Sequence, residues 1–405
     1  MTFPNSEPTI SVGIITAPDI KFRLPGEPVR TARPDSTGNG VECDGEYSPM
    51  LRFAPEAPFE LIDVPIGIGF HWQRNENQLF SGQLRIIADK GKLIAINDIG
   101  LESYLKSVIS SEMSANASEA LLRAHAVVSR SWLLRQLHDV GKHPCGLTSR
   151  TFPTEVDGQT VDELCCWHDR EDHTLFDVCA DDHCQRYQGL TRQTSPAVEA
   201  AVDATRGMVL TYGDEICDAR FSKCCGGRSE TFGNCWEDAS HPYLEAVDDP
   251  FCDTTDTEIL DQVLNGYDRE APDFYRWEAA YTPAELSGLI ARRSGIDFGD
   301  IEELRPLTRG QSGRIVRLLV RGSRRAMVVG KELEIRRWLS ESHLRSSNFE
   351  VTRDADGRFI LRGRGWGHGV GLCQIGAAVM GAKGYSAHEI LHHYFPKSTL
   401  TKIYG

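Results

Sequence analysis

No stretch of this chain approaches eighteen consecutive apolar residues, so the sequence offers no membrane-spanning helix. Positive charge is short as well: 44 lysines and arginines face 58 aspartates and glutamates, a net −14. That balance argues against general nucleic-acid binding, which needs a basic face. Met1 to Pro8 contain neither the basic start nor the apolar stretch of a secretory leader. The expectation is therefore a cytoplasmic protein or one whose leader has been removed. Internal repeats and low-complexity tracts are missing. Twelve cysteines in 405 residues fall below the density of a disulfide scaffold. His388-Glu389-Ile390-Leu391-His392 has the H-E-x-x-H spacing of a metalloprotease zinc site, but no acidic third ligand has suitable spacing.

What the chain does have is glycine in an unusual pattern. Gly363, Gly365, Gly367, Gly369 and Gly371 alternate with side chains, and Trp366, His368 and Gln374 are the chemical tips of the segment. Each glycine costs backbone entropy and adds no packing, so an ordinary strand or helix is not expected there. Close approach of the backbone to something is. In every frame the last position of G-x-G-x-x-G falls on His368, Val370, Leu372 or Gln374, and no G-K-[ST] follows, so a dinucleotide or phosphate loop is excluded.

The length allows a large core and two or three structural units. Residues 10–100 are β-rich, with strands expected at Ile10–Ile15, Gln83–Ala88 and Lys92–Ile96 and a polar loop at Arg33–Glu46. A helical region starts at residue 101. A longer helix, Ala117–His138, is apolar on nearly every face and therefore buried, with Arg123, His125 and Arg130 as polar exceptions. A long loop rich in cysteine and histidine follows, then a helix from Pro196 to Gly207. Hairpins are expected across Gly213-Asp214 and over Arg314–Val329. Thr282-Pro-Ala-Glu285 and Ser386-Ala-His-Glu389 are capping boxes that open helices. The class is α+β, divided as a β-rich part (1–100), a catalytic core (101–252), an inserted α+β subdomain (253–345) and a C-terminal part of the core (346–405).

Three groups of residues carry chemistry. Glu112 stands between two apolar helical stretches. It is either a helix-terminal acid or a carboxyl whose apolar surroundings let it deliver a proton near neutral pH. Arg130, inside the buried helix, needs a partner and is either a structural ion pair or a residue that orients the site and meets substrate. Cys165, Cys166, His168, His173, Cys179, His183 and Cys184 place seven potential metal ligands within twenty residues. Thiolate and imidazole together suit zinc, and His173, Cys179, His183 and Cys184 form the preferred closed set, a structural Zn2+ rather than a catalytic one. The alternative is a loop with disulfides. Cys217, Cys224, Cys225, Cys235 and Cys252 are disulfides, free buried thiols or both, since pairing cannot be read from sequence. His388, His392 and His393 read as surface or packing histidines, and Cys224-Cys225-Gly226-Gly227 as a tight turn.

Together these pieces resemble the stage II sporulation protein D (SpoIID/LytB, amidase-enhancer) family. The resemblance rests on Ser111-Glu112-Met113, Ala124–Arg130, Asp177-Val-Cys179 with His183-Cys184-Gln185-Arg-Tyr187, Gly226-Gly227-Arg-Ser-Glu230 and Gly363–Ala377. It runs in order from about Ile10 to the C-terminus. Departures are Ser114 where the family commonly has proline, Cys225 before the glycine pair, and Cys373 before Gln374. What the resemblance implies is a cell-envelope lytic transglycosylase that cuts peptidoglycan glycan strands, or a non-catalytic enhancer of a partner cell-wall amidase. Glu112 would be its catalytic acid, and the Cys/His loop would match the family's zinc site. Arg130, Gly226, Gly227, Trp366, His368 and Gln374 would line the substrate cleft.

Overall fold

The computed structural model describes residues 5–67, 73–114, 116–139, 147–168, 173–181, 184–192, 195–264 and 274–405. They form the mixed α+β class expected. Their contacts group into two compact units, neither of them a continuous stretch. The first comprises Met1–Val140, Asp172–Ile216 and Leu400–Gly405; the second comprises Gly141–Glu171 and Cys217–Thr399.

In the first unit, Lys92–Gly100 pairs antiparallel with both Thr9–Ala17 and Gln83–Asp89, and Met50–Phe53 extends the sheet. A second sheet runs in the order Glu46–Ser48, Val41–Cys43, Val29–Pro34, Ile20–Arg23, Phe59–Ile66, Arg74–Phe80. The loop expected at Arg33–Glu46 thus contains a strand. Only Val41 and Cys43 are buried there, too short an alternation to stand out from the polar residues around it. Helix α1, Leu101–Glu112, leaves the sheet directly and buries Leu101, Tyr104, Leu105, Val108 and Ile109 at helical spacing. Helix α2, Glu119–Asp139, is buried on every side, as its composition demands. Helix α3, Pro196–Ala204, starts at its proline and packs on both. The hairpin across Gly213-Asp214 forms between Met208–Tyr212 and Glu215–Ile216.

The second unit is built on a five-stranded sheet ordered Leu147–Val156, Gln159–His168, Ala326–Gly330, Ile315–Gly322, Ile301–Arg309. Cys165, Cys166 and His168 therefore sit in a strand, where a loop was expected. The β-branched and apolar residues Val161, Leu164 and Trp167 are spread too unevenly for an alternating pattern to show. Strand Phe359–Arg364 is central to a smaller sheet, between Arg276–Tyr281 and Phe349–Arg353. Helices α4 (Thr257–Leu260), α5 (Pro283–Ser294), α6 (Glu332–Trp338), α7 (Gln374–Ala382) and α8 (Ala387–Tyr394) complete it. Both capping boxes form, at Thr282 and Ser386. No helix among the described residues is long and apolar enough to cross a membrane.

Candidate active site and cysteine–histidine cluster

Glu112 is the last residue of α1 and is half-buried; the Met113 N–H closes the helix on the Ile109 carbonyl. Two turns earlier on the same helix, Tyr104 is fully buried and stacks on Tyr187 at 5.1 Å. The Tyr187 hydroxyl donates to Asn97 at 2.6 Å, whereas among the described residues the Tyr104 hydroxyl has no partner. Burial, above all, pushes the Tyr104 hydroxyl well up.

The cluster is positioned by the sheet. Val178–Cys179 adds a short parallel strand beside Val12 and Gly13. Asp177 locks it there by accepting from the Ser11 backbone and hydroxyl, each at 2.8 Å. Gly13 is required: a Cβ would stand 2.5 Å from the ring of Phe176, which in turn stacks on His173 at 4.6 Å. The Cys184 Sγ lies 3.5 Å from His173 Nε2 and accepts from the Cys179 N–H at 3.4 Å. The ligand atoms of His173, Cys179 and Cys184 all lie within 4.8 Å of one another. That spread matches one ion with bonds of about 2.0–2.3 Å to nitrogen and sulfur. His183, the fourth residue of the expected set, lies outside the described residues. Cys165, Cys166 and His168 belong to the other unit, where His168 faces Glu334 and Arg337.

Arg130 is placed in the core. Its guanidinium is fully buried and grips Glu102 twice, Nε at 3.1 Å and Nη2 at 2.6 Å, while Nη1 donates to the Met208 carbonyl at 3.0 Å. Glu102 also accepts from the Gly207 N–H and the Tyr404 hydroxyl. Of the two readings of Arg130, this geometry is the structural ion pair.

The remaining expected residues are in the second unit. Gly365, Gly367, Gly369 and Gly371 all have φ between +72° and +88°, which favours glycine, while Gly363 lies in a strand under Trp277. What the glycine run approaches is its own chain. A Cβ on Gly369 would stand 2.5 Å from the Arg314 guanidinium, and one on Gly365 2.9 Å from the Cys224 carbonyl. Arg314 is fully buried and donates to the Cys225 and Gly367 carbonyls at 2.8 and 2.9 Å. Gly226, at φ +83°, packs on Gly365, and Gly227, at φ +104°, faces Tyr275. Trp366 rests on Phe274 at 4.9 Å with Arg345 over its ring. His368 Nδ1 accepts from the Val370 N–H at 3.0 Å. Burial, then Arg220, Arg314 and Arg336, hold that imidazole well below its ordinary pKa, so it is neutral. Gln374 is buried at the start of α7. Arg314 gave no signal in the sequence, because nothing local marks one arginine of a hairpin as the filler of a glycine cradle.

Residues 89–212 match the Stage II sporulation protein family, and residues 230–371 match a domain of unknown function (DUF8618). The chain therefore carries a Stage II sporulation protein domain, and the family resemblance stands. It is similar to stage II sporulation protein D of Bacillus subtilis (strain 168), 24% identical over 310 residues and 76% of each chain. It is equally similar to that of Bacillus amyloliquefaciens, 24% over 302 residues and 74% of each chain. It is also similar to the amidase enhancer of Bacillus subtilis (strain 168), 27% identical over 323 residues, which are 73% of this chain and 40% of that one. Glu112, Arg130, His173, Cys179 and Cys184 fall inside the first matched segment. Trp366 and His368 fall inside the second, Gly226 and Gly227 lie between the two, and Gln374 lies beyond both.

Proposed function

We propose that the chain is a lytic transglycosylase that cuts peptidoglycan glycan strands, with Glu112 acting as acid and then as base. The observation that carries this reading is the position of Glu112. It ends α1, half-exposed, within the matched segment and two turns beyond the buried Tyr104. The negative end of a helix dipole favours a neutral carboxyl over a carboxylate, which suits a proton donor.

An ordinary glycosidase needs two carboxyl groups. A transglycosylase acting on muramic acid needs one, because the sugar's own C6 hydroxyl is already positioned to attack its anomeric carbon. Glu112 donates its proton to the leaving glycosidic oxygen as that bond breaks. The C6 oxygen bonds to the anomeric carbon, and the Glu112 carboxylate takes the C6 proton. The product end is 1,6-anhydromuramic acid and no water is consumed. Such strands lie in the cell envelope, so the protein works there, in the periplasm or outside the cell.

A zinc ion would fit His173, Cys179 and Cys184, whose soft and borderline donors converge on one point. Bound there, it would staple the loop to the sheet edge and so hold Tyr104 and Glu112 in place. No step of the reaction passes through it.

A second reading, a non-catalytic enhancer of a cell-wall amidase, is favoured by the name of one relative. The test is mass spectrometry of purified glycan strands, with and without stem peptides, after incubation with wild type and Glu112→Gln. Anhydro ends from the wild type, reduced about 10²–10⁴-fold in the variant, support the transglycosylase. Cleavage that is unchanged in the variant removes Glu112 from the mechanism. No cleavage of either substrate by the wild type favours the enhancer.

A further inference from the structure

Inside the second unit, four side chains from three separate stretches converge with no exposed face. Cys225 follows strand Phe221–Ser222, Asp249 and Cys252 share one turn, and Cys373 caps α7. Cys225 and Cys373 are fully buried, and Asp249 and Cys252 are each 1% exposed. Their ligand atoms all lie within 4.8 Å of one another. The Cys225 Sγ stands 3.5 Å from the Cys252 Sγ and 3.1 Å from Asp249 Oδ2. Four ligands around one ion, at about 2.3 Å for sulfur and 2.1 Å for oxygen, stand about 3.5–3.8 Å apart at the corners of a tetrahedron. The Cys225–Cys252 separation is of that size, and the Cys225–Asp249 separation is about half an ångström shorter.

The surroundings are those of bound thiolates. The Gly227 N–H donates to the Cys252 Sγ at 3.2 Å; the Cys225 and Gly376 N–H groups donate to the Cys373 Sγ at 3.3 and 3.4 Å. The positive end of α7 points at the same sulfur. Asp249 is oriented on both oxygens, accepting from the Phe251 N–H at Oδ1 and from the Tyr394 hydroxyl at Oδ2, each at 3.0 Å. Outer contacts of this kind fix ligands around an ion. Gly376 must be glycine, since a Cβ would run into the Tyr394 hydroxyl and the Asp249 carboxylate. Among the described residues Asp249 has no ion pair, so the buried acid lacks a cationic side chain to neutralise it.

We propose that Cys225, Asp249, Cys252 and Cys373 form a closed site for one zinc-class divalent ion, taken up as the second unit folds. Three thiolates and one carboxylate leave no position for water, so the ion ties together three distant stretches and does no chemistry of its own. The sulfurs stand too close together to enclose a multi-iron cluster. The site is separate from the Glu112 chemistry and does not depend on it.

The test is elemental analysis of the intact chain, purified without chelators, as wild type, Cys252→Ser and Cys184→Ser, each checked for fold by circular dichroism. Cys252→Ser is expected to carry about one zinc per chain less than wild type, and Cys184→Ser to retain at least one. Equal zinc in wild type and Cys252→Ser overturns the proposal. So does native protein lighter by two hydrogens through a Cys225–Cys252 disulfide, or iron with acid-labile sulfide. If Cys252→Ser does not fold, cobalt(II) loaded into folded Cys184→Ser decides: tetrahedral bands with thiolate charge transfer support the site, and their absence overturns it.

Discussion

Two groups of sulfur ligands of the same spread, each within 4.8 Å, differ in exposure and in how far apart their members stand in the chain. His173, Cys179 and Cys184 are half-exposed and come from twelve consecutive positions, folded over the edge of one sheet. Cys225 and Cys373 are 148 positions apart and fully buried. A local, half-exposed cluster can fasten a loop near a reacting carboxyl without carrying the core. A dispersed, buried one holds the core itself, and its ligands cannot be left as charges without an ion.

The largest expected effect separates the two. Cys252→Ser should lower the melting temperature of the chain by about 10 °C or more, and Cys184→Ser by only a few degrees, in differential scanning calorimetry. A chelator added to folded protein should strip metal from the half-exposed cluster within minutes and leave the buried one loaded. Equal melting losses, or equal release, would erase the distinction.

The next effect concerns what holds each unit besides its sulfur. Arg130 is matched by Glu102, whereas Arg314 is held mainly by backbone carbonyls, with Glu332 3.9 Å away. Arg130→Met leaves Glu102 buried without its cation and should cost about 3–5 kcal/mol in urea unfolding. Gly369→Ala forces a Cβ against Arg314 at a φ of +77° and should cost on the order of 3 kcal/mol. If the Gly369 variant is as stable as wild type, the cradle is softer than its contacts imply.

The smallest effect depends on pH. His368 has its pKa lowered in the folded chain, while the unfolded chain protonates it near about 6.5. The folded state therefore binds fewer protons below that pH. Its full stability is present above pH 6.5 and is lost as pH falls below it. His368→Asn keeps an acceptor for the Val370 N–H and should flatten that part of the stability curve. A curve as steep as that of the wild type would assign the acid loss to other groups.

Much of this molecule was legible from local pattern. The capping boxes at Thr282 and Ser386, the buried helix around Arg130 and the strands at Ile10, Gln83 and Lys92 follow from spacing alone. So does the grouping of His173, Cys179 and Cys184, because their separation in sequence is short enough to survive folding as proximity. The strand at Val41 and the placement of Cys165 and Cys166 in a sheet were not legible: each pairs with a neighbouring strand, but the alternation of apolar residues is too short or too uneven to mark it.

The α+β class, the family motifs and the residue types able to do acid–base or metal chemistry are each written in neighbouring residues and can be read directly. That Arg130 belongs to Glu102, that the glycine run wraps Arg314, and that Asp249 stands among three cysteines emerges only in the folded chain. Those are contacts between residues far apart in sequence, and burial, not spacing, selects which charged and sulfur groups must find one another.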